Sequence, residues 1–185
     1  QFQQTRTTLA MLGMWISCAY REGYCRARRE PLLTLGSAPL GDREFLSAVL
    51  RQMGEQRLQA AIQADISAPT GQPPSHAETL DEEQEDGAGK SSLHRRVATT
   101  LFFESCGGQT DKSAHLPELY FAAGDPDTET TLIHTAVQNL ERRCYFLRPV
   151  GVDGWRFGHV PTLKKVHADR KQALDPDDVQ RNVVE

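Results

Sequence analysis

The sequence predicts a mainly α-helical protein with one small β-hairpin, and three observations carry that prediction. Residues 93–143 hold three stretches of helical periodicity, separated by Cys106-Gly107-Gly108 and by Gly124-Asp125-Pro126. Directly after them, Tyr145-Phe146-Leu147 and Trp155-Arg156-Phe157 alternate around a turn-forming segment, Gly151-Val152-Asp153-Gly154. Upstream of Ser67 the apolar residues fall mostly at helical spacing. Three helices followed by a hairpin is the order of a winged helix. Residues 93–173 are therefore expected to form a winged-helix domain, preceded by a helical subdomain over residues 1–66.

The first helix follows from Leu9, Leu12, Ile16 and Ala19, with Met11, Trp15 and Cys18 widening the stripe, so it is expected to be buried over much of its circumference. The same run, preceded by Arg6, imitates a secretory leader with a lipid-attachment cysteine. Trp15, however, stands where such a leader needs a small aliphatic residue, and the run is too short to span a bilayer. A core helix of a cytoplasmic protein with no membrane partner is the expectation. A basic cluster, Arg21, Arg26, Arg28 and Arg29, stops at Pro31, and Leu32-Leu33-Thr34-Leu35 reads as a short strand before a turn over residues 36–41. Asp42 suits the cap of a helix whose buried side is Phe45, Leu46, Val49, Leu50 and Met53, interrupted by Gly54. A further helix turns Leu58, Ala61, Ile62 and Ile66 inward.

Residues 67–92 change character, with Pro69, Pro73 and Pro74, the acidic run Asp81-Glu82-Glu83 to Asp86, and small residues up to Ser92. A flexible, solvated acidic linker is expected there. Two features of this stretch imitate an ATPase site. Gly87-Ala88-Gly89-Lys90-Ser91-Ser92 ends like a phosphate-binding loop, but Gln84 replaces the first glycine and an acidic run replaces the preceding buried strand. Asp81-Glu82-Glu83 imitates a magnesium and water-activating pair without a hydrophobic strand before it, so solvated charge is the expectation.

Past the linker, Val97, Leu101 and Phe102 are the expected buried face of one helix, and Leu116, Leu119 and Phe121 that of the next, which Gly124 ends. Asp125 or Asp127 starts the third, with Pro126 in its first turn; Leu132, Ile133, Ala136, Val137 and Leu140 form its core stripe, leaving Gln138, Asn139, Arg142 and Arg143 near the outer face. Asp153-Gly154 is expected to supply the positive backbone angles of the hairpin. Residues 161–173 read as a basic helix, and residues 174–185 as a continuation toward a further C-terminal part.

A formal net charge of -4 means that any nucleic-acid contact comes from a local basic face. The candidate face is Arg142, Arg143, Arg148 and Arg156, followed by Lys164 and Lys165, on the third helix end, both hairpin strands and the segment after them. Glu129 and Glu141 dilute it, and the alternative is that these cations solubilise the edges. Cys18, Cys25, Cys106 and Cys144 lack zinc spacing and read as reduced, buried thiols. The six histidines form no ligand pair or catalytic constellation. Neither a metal site nor catalytic residues are expected, and the chain by itself is expected not to be an enzyme. Arg6 is the remaining candidate, a permanently charged fork able to reach a phosphate on a neighbouring domain.

The stretch Gln3-Gln4-Thr5-Arg6-Thr7-Thr8-Leu9-Ala10-Met11-Leu12, the run Arg96-Val97-Ala98-Thr99-Thr100-Leu101-Phe102-Phe103-Glu104-Ser105-Cys106-Gly107-Gly108, and Cys144-Tyr145-Phe146-Leu147 resemble a middle portion of the large AAA-type ATPases of unknown function from prokaryotic phage-defence islands. Leu116-Pro117-Glu118-Leu119, Arg156-Phe157 and Pro161-Thr162-Leu163 fit as well. The resemblance implies a helical ATPase-lid subdomain and a winged helix downstream of a phosphate-binding core. Arg6 is then similar to the lid arginine that senses nucleotide, although Thr7-Thr8 departs from the Arg-Gly of family members. It implies ATP and magnesium in the parent protein only, with none bound by this chain alone. The implied partners are the upstream ATPase core, DNA, and a methyltransferase or other defence-system subunit. The competing expectations are a winged-helix transcription regulator, dimerising through its N-terminal helices, and a protein-interaction scaffold.

Overall fold

Helix α5, Leu93–Cys106, organises the molecule. Its residues His94, Arg96, Val97, Ala98, Thr99, Thr100, Leu101, Phe102 and Ser105 are all buried, so it is covered on nearly every side. A sequence with five polar members among those positions tolerates this because each hydroxyl returns to the helix itself. Thr99, Thr100 and Ser105 donate to the carbonyls four residues back, at 2.8, 3.0 and 2.6 Å. Arg96 donates to the Ala123 carbonyl at 2.6 Å.

The computed structural model describes residues 2–26, 33–84, 92–106, 112–124 and 128–173. The chain is mainly helical with one small antiparallel sheet. The remaining helices are α1 (Phe2–Arg26), α2 (Arg43–Met53), α3 (Gln59–Asp65), α4 (His76–Glu83), α6 (Leu116–Ala123), α7 (Thr130–Arg143) and α8 (Leu163–Ala173). Strand β1 (Ala114–His115) lies between α5 and α6, and β2 (Leu147–Val150) and β3 (Gly154–Phe157) form the hairpin after α7. The sheet order is β1-β3-β2, with Ala114 opposite Trp155 and Arg148 opposite Arg156. Among the described residues no helix is long and apolar enough to cross a membrane.

Several expectations match their elements. Asp42 accepts from the Glu44 and Phe45 amides at 3.0 Å, α2 buries Phe45, Leu46, Val49 and Leu50, and Gly54 closes it at φ 71°. Leu58, Ala61, Ile62 and Ile66 are buried. On α7, Ile133, Ala136, Val137 and Leu140 face the core.

Other expectations change. The strand read at residues 32–35 is not formed among the described residues; Leu35–Ser37 is a 3-10 turn instead. Its Gly36 lies so close to α5 that a Cβ would stand 2.9 Å from the Arg96 carbonyl oxygen, an approach that the missing side chain permits. On α1 the core-facing side is Met11, Met14, Trp15 and Cys18, whereas Leu9 (62 %), Leu12 (44 %), Ile16 (56 %) and Tyr20 (75 %) are exposed. Phe121 and Leu132, expected inside, are exposed as well. Gly151 takes a positive φ in the hairpin (67°) and Gly154 does not. Gly154 serves close approach, since a Cβ there would lie 2.7 Å from the Val150 oxygen.

The largest difference is in the expected linker. Residues 67–84 are built into the body by α4, which buries Ala77, Leu80 and Asp81. A capping box starts the helix: Glu78 accepts from the Ser75 amide at 2.9 Å and Ser75 Oγ accepts from the Glu78 amide at 3.3 Å. Asp81, read as solvated charge, accepts from the His94 and Arg95 amides at 2.8 and 3.0 Å and so caps α5 from thirteen residues upstream. Buried apolar residues from Ala38 to Phe157 consequently form one core that includes both expected domains. The phosphate-loop imitation, the expected third-helix start at residues 125–127, the cluster at Arg28, Arg29 and Pro31, and residues 174–185 lie outside the described residues.

Candidate functional site

The hairpin is held from both halves of the chain. Asp65, fully buried, accepts from the Tyr145 and Phe146 amides at 2.9 and 2.6 Å, and His76 Nδ1 lies 2.9 Å from its carboxylate. The Phe157 amide donates to Ser105 Oγ at 3.1 Å, and Trp155 Nε1 donates to Glu141 at 2.9 Å. These bonds fix β2 and β3 against α5 and α7.

The cations expected to face one ligand have five different settings. Arg143 turns to α4 and makes a forked pair with Glu83, at 2.6 and 2.7 Å. With both side chains about half exposed, this pair contributes at most about 1 kcal/mol to stability. Lys164 donates to the Glu141 carbonyl and closes the end of α7. Lys165 stands 5.2 Å from the centre of the Phe146 ring, a cation-π contact. Arg142 is exposed on α7.

Arg148 and Arg156 do come together. They are directly opposed across β2 and β3 and line a cleft of about 650 Å³ between the hairpin, the end of α5 and the 3-10 turn Gln56–Leu58. Arg148 donates to the Val160 and Pro161 carbonyls at 2.8 and 3.3 Å, which steadies its guanidinium at the rim. Arg57 and His159 line the same cleft and were not singled out from the sequence. No local pattern marks them: Arg57 precedes the hairpin by about ninety residues and reaches it only through the shared core. Cys106 also lines the cleft. Burial pushes its thiol pKa up, partly offset by the Ser105 hydrogen bond and the Arg156 charge, so it stays protonated at neutral pH.

The outer face of α7 is polar, with Thr131, His134, Thr135, Gln138 and Arg142 exposed. The hairpin tip carries Val152, 97 % exposed, beside Asp153. Arg6 is exposed near the start of α1, away from the cations of the hairpin cleft in sequence and absent from its lining. Among the described residues no group of three or more His, Cys, Asp or Glu side chains is arranged to hold a metal ion. No protein-family model, curated protein or solved structure gives a significant match to this chain.

Proposed function

We propose that this chain is the lid and winged-helix portion of an AAA-type ATPase of phage defence, and that its winged helix docks a partner subunit as the nucleotide state changes. The observation that carries this reading is topological. A helix, a short strand, two helices and a hairpin, with the last strand in the middle of the order β1-β3-β2, supports the winged-helix reading. The lid reading rests on α1, where an exposed Arg6 stands in the second turn of a helix whose Leu9, Leu12, Ile16 and Tyr20 are also exposed. Such an apolar stripe fits a neighbouring ATPase core, and a guanidinium one turn into the helix fits a nucleotide phosphate. ATP and magnesium belong to that core.

A protein partner, such as a methyltransferase or another defence subunit, is favoured over DNA by the placement of charge. Arg143, Arg148, Lys164 and Lys165 are engaged within the molecule, and the hairpin tip offers Val152 and Asp153 where a phosphate backbone needs cations. The polar outer face of α7, ending in Arg142, favours DNA as the second reading.

Replacing Arg6→Ala in the parent ATPase is expected to lower turnover by at least about tenfold, as loss of a phosphate-sensing arginine does. Unchanged turnover removes the lid assignment. The whole chain, titrated with unrelated DNA duplexes from low salt upward, is expected not to bind. Salt-steep nonspecific binding would transfer α7 and the hairpin to the DNA reading, and tight binding to one sequence would make the chain a regulator.

A further inference from the structure

Strand β1 carries an arrangement that belongs neither to the hairpin cleft nor to the outer face of α7. In extended backbone, residues two apart lie on one face, and directly opposed residues of neighbouring strands share that face. Ala114 is buried, so Ser113, which leads into β1, and His115, its last residue, turn outward together, with Gly154 of β3 opposite His115. Gly154 leaves them room, since a Cβ there would lie 3.1 Å from both Ser113 Oγ and His115 Cε1.

The imidazole is oriented by its surroundings. The His115 amide donates to Glu118 at 2.8 Å, and Nδ1 lies 3.0 Å from the Asp153 carbonyl oxygen. A carbonyl oxygen only accepts, so Nδ1 carries a proton, and in the neutral ring Nε2 is the acceptor. Ser113 Oγ stands 3.0 Å from Nε2 and donates to it. Nucleophile, base and the group that orients the base are thus in hydrogen-bond contact, in the order acyl transfer needs. The sequence hides this dyad, because Asp153 follows His115 by 38 residues. We propose that Ser113 and His115 hydrolyse small activated carboxylic esters. Ser113 Oγ bonds to the ester carbonyl carbon as Nε2 takes its proton; the bond to the leaving oxygen breaks, and that oxygen departs with the proton. Water then adds to the acyl-serine with Nε2 again as base, releasing the acid and free Ser113. The dyad faces solvent, which suits a short acyl group, and a phenol-like leaving group needs little help beyond a nucleophile and a base.

Incubating the full chain with p-nitrophenyl acetate tests this, with nitrophenolate release followed by absorbance and the acetylated residue mapped by mass. Acetyl is expected on Ser113, with release continuing beyond one equivalent per chain. Ser113→Ala and His115→Gln are each expected to slow release by about tenfold or more. Both should melt like the parent chain, because the bonds they change face solvent. His115→Gln keeps a donor for the Asp153 carbonyl but has no basic nitrogen, so its loss reads the base and not the fold. His167→Ala, which removes an exposed histidine of α8, should leave release unchanged. The proposal is overturned if Ser113 stays unacetylated, if the acetyl group on it is never released, or if His167→Ala slows release as much as His115→Gln does.

Discussion

Helices α1 and α5 contrast in what their sequences promise and what their surroundings deliver. Helix α1 carries the more conspicuous apolar run, yet Leu9, Leu12, Ile16 and Tyr20 point to solvent. Helix α5 includes two arginines, a histidine, two threonines and a serine, yet it is the most enclosed element of the body. Burial is decided by how many neighbours a helix acquires. α5 is packed by the Leu35–Ser37 turn, by α4, α6 and α7 and by β3, whereas α1 leans on α2 along one side. Polar residues enter the interior when each finds a partner, and apolar residues stay outside when no element is left to cover them.

The contrast can be broken most forcefully at Phe102, which is fully buried and contacts the rings of Phe103 and Phe157. Phe102→Ala is expected to remove about 3–5 kcal/mol of stability, measured as a lower urea midpoint at unchanged slope. A loss below about 1 kcal/mol would mean that α5 is not the hub of the core. Asp81→Ala should follow at about 2–3 kcal/mol, because it strands the His94 and Arg95 amides at a buried helix start. Amide exchange should accelerate first at those two residues; uniform exchange across α5 would argue against a local cap. On α1, Leu12→Ser is expected to change stability by no more than about 0.5 kcal/mol. A larger loss would show that the exposed stripe is covered within this chain itself.

Local chemistry explains what the sequence made legible. Asp42, Gly54 and the apolar spacings of α2 and α7 act within a few residues, and the alternation around Gly151 placed the hairpin. Leu9, Phe121 and Leu132 were misplaced because periodicity identifies a stripe without saying whether anything packs on it. The residues around Asp81 were read as a linker because acidic composition usually means solvation, while the partners that satisfy Asp81 lie thirteen and fourteen residues away. The same reason split the expected cation face. Arg148 and Arg156 were found together because strand register is local, Arg143 was lost to Glu83 sixty residues away, and Arg57 joins through the core.

Asp65 extends this lesson to the making of the protein. Its carboxylate is sealed from water and answered by amides eighty and eighty-one residues later in the chain. While a ribosome is still extending the polypeptide toward Tyr145, α3 cannot take its final place without burying a carboxylate that still lacks two of its three partners, with His76 alone in place. Helix α3 therefore waits, partly docked, for the hairpin to emerge, and the segment leading into β2 completes the surroundings of its last residue.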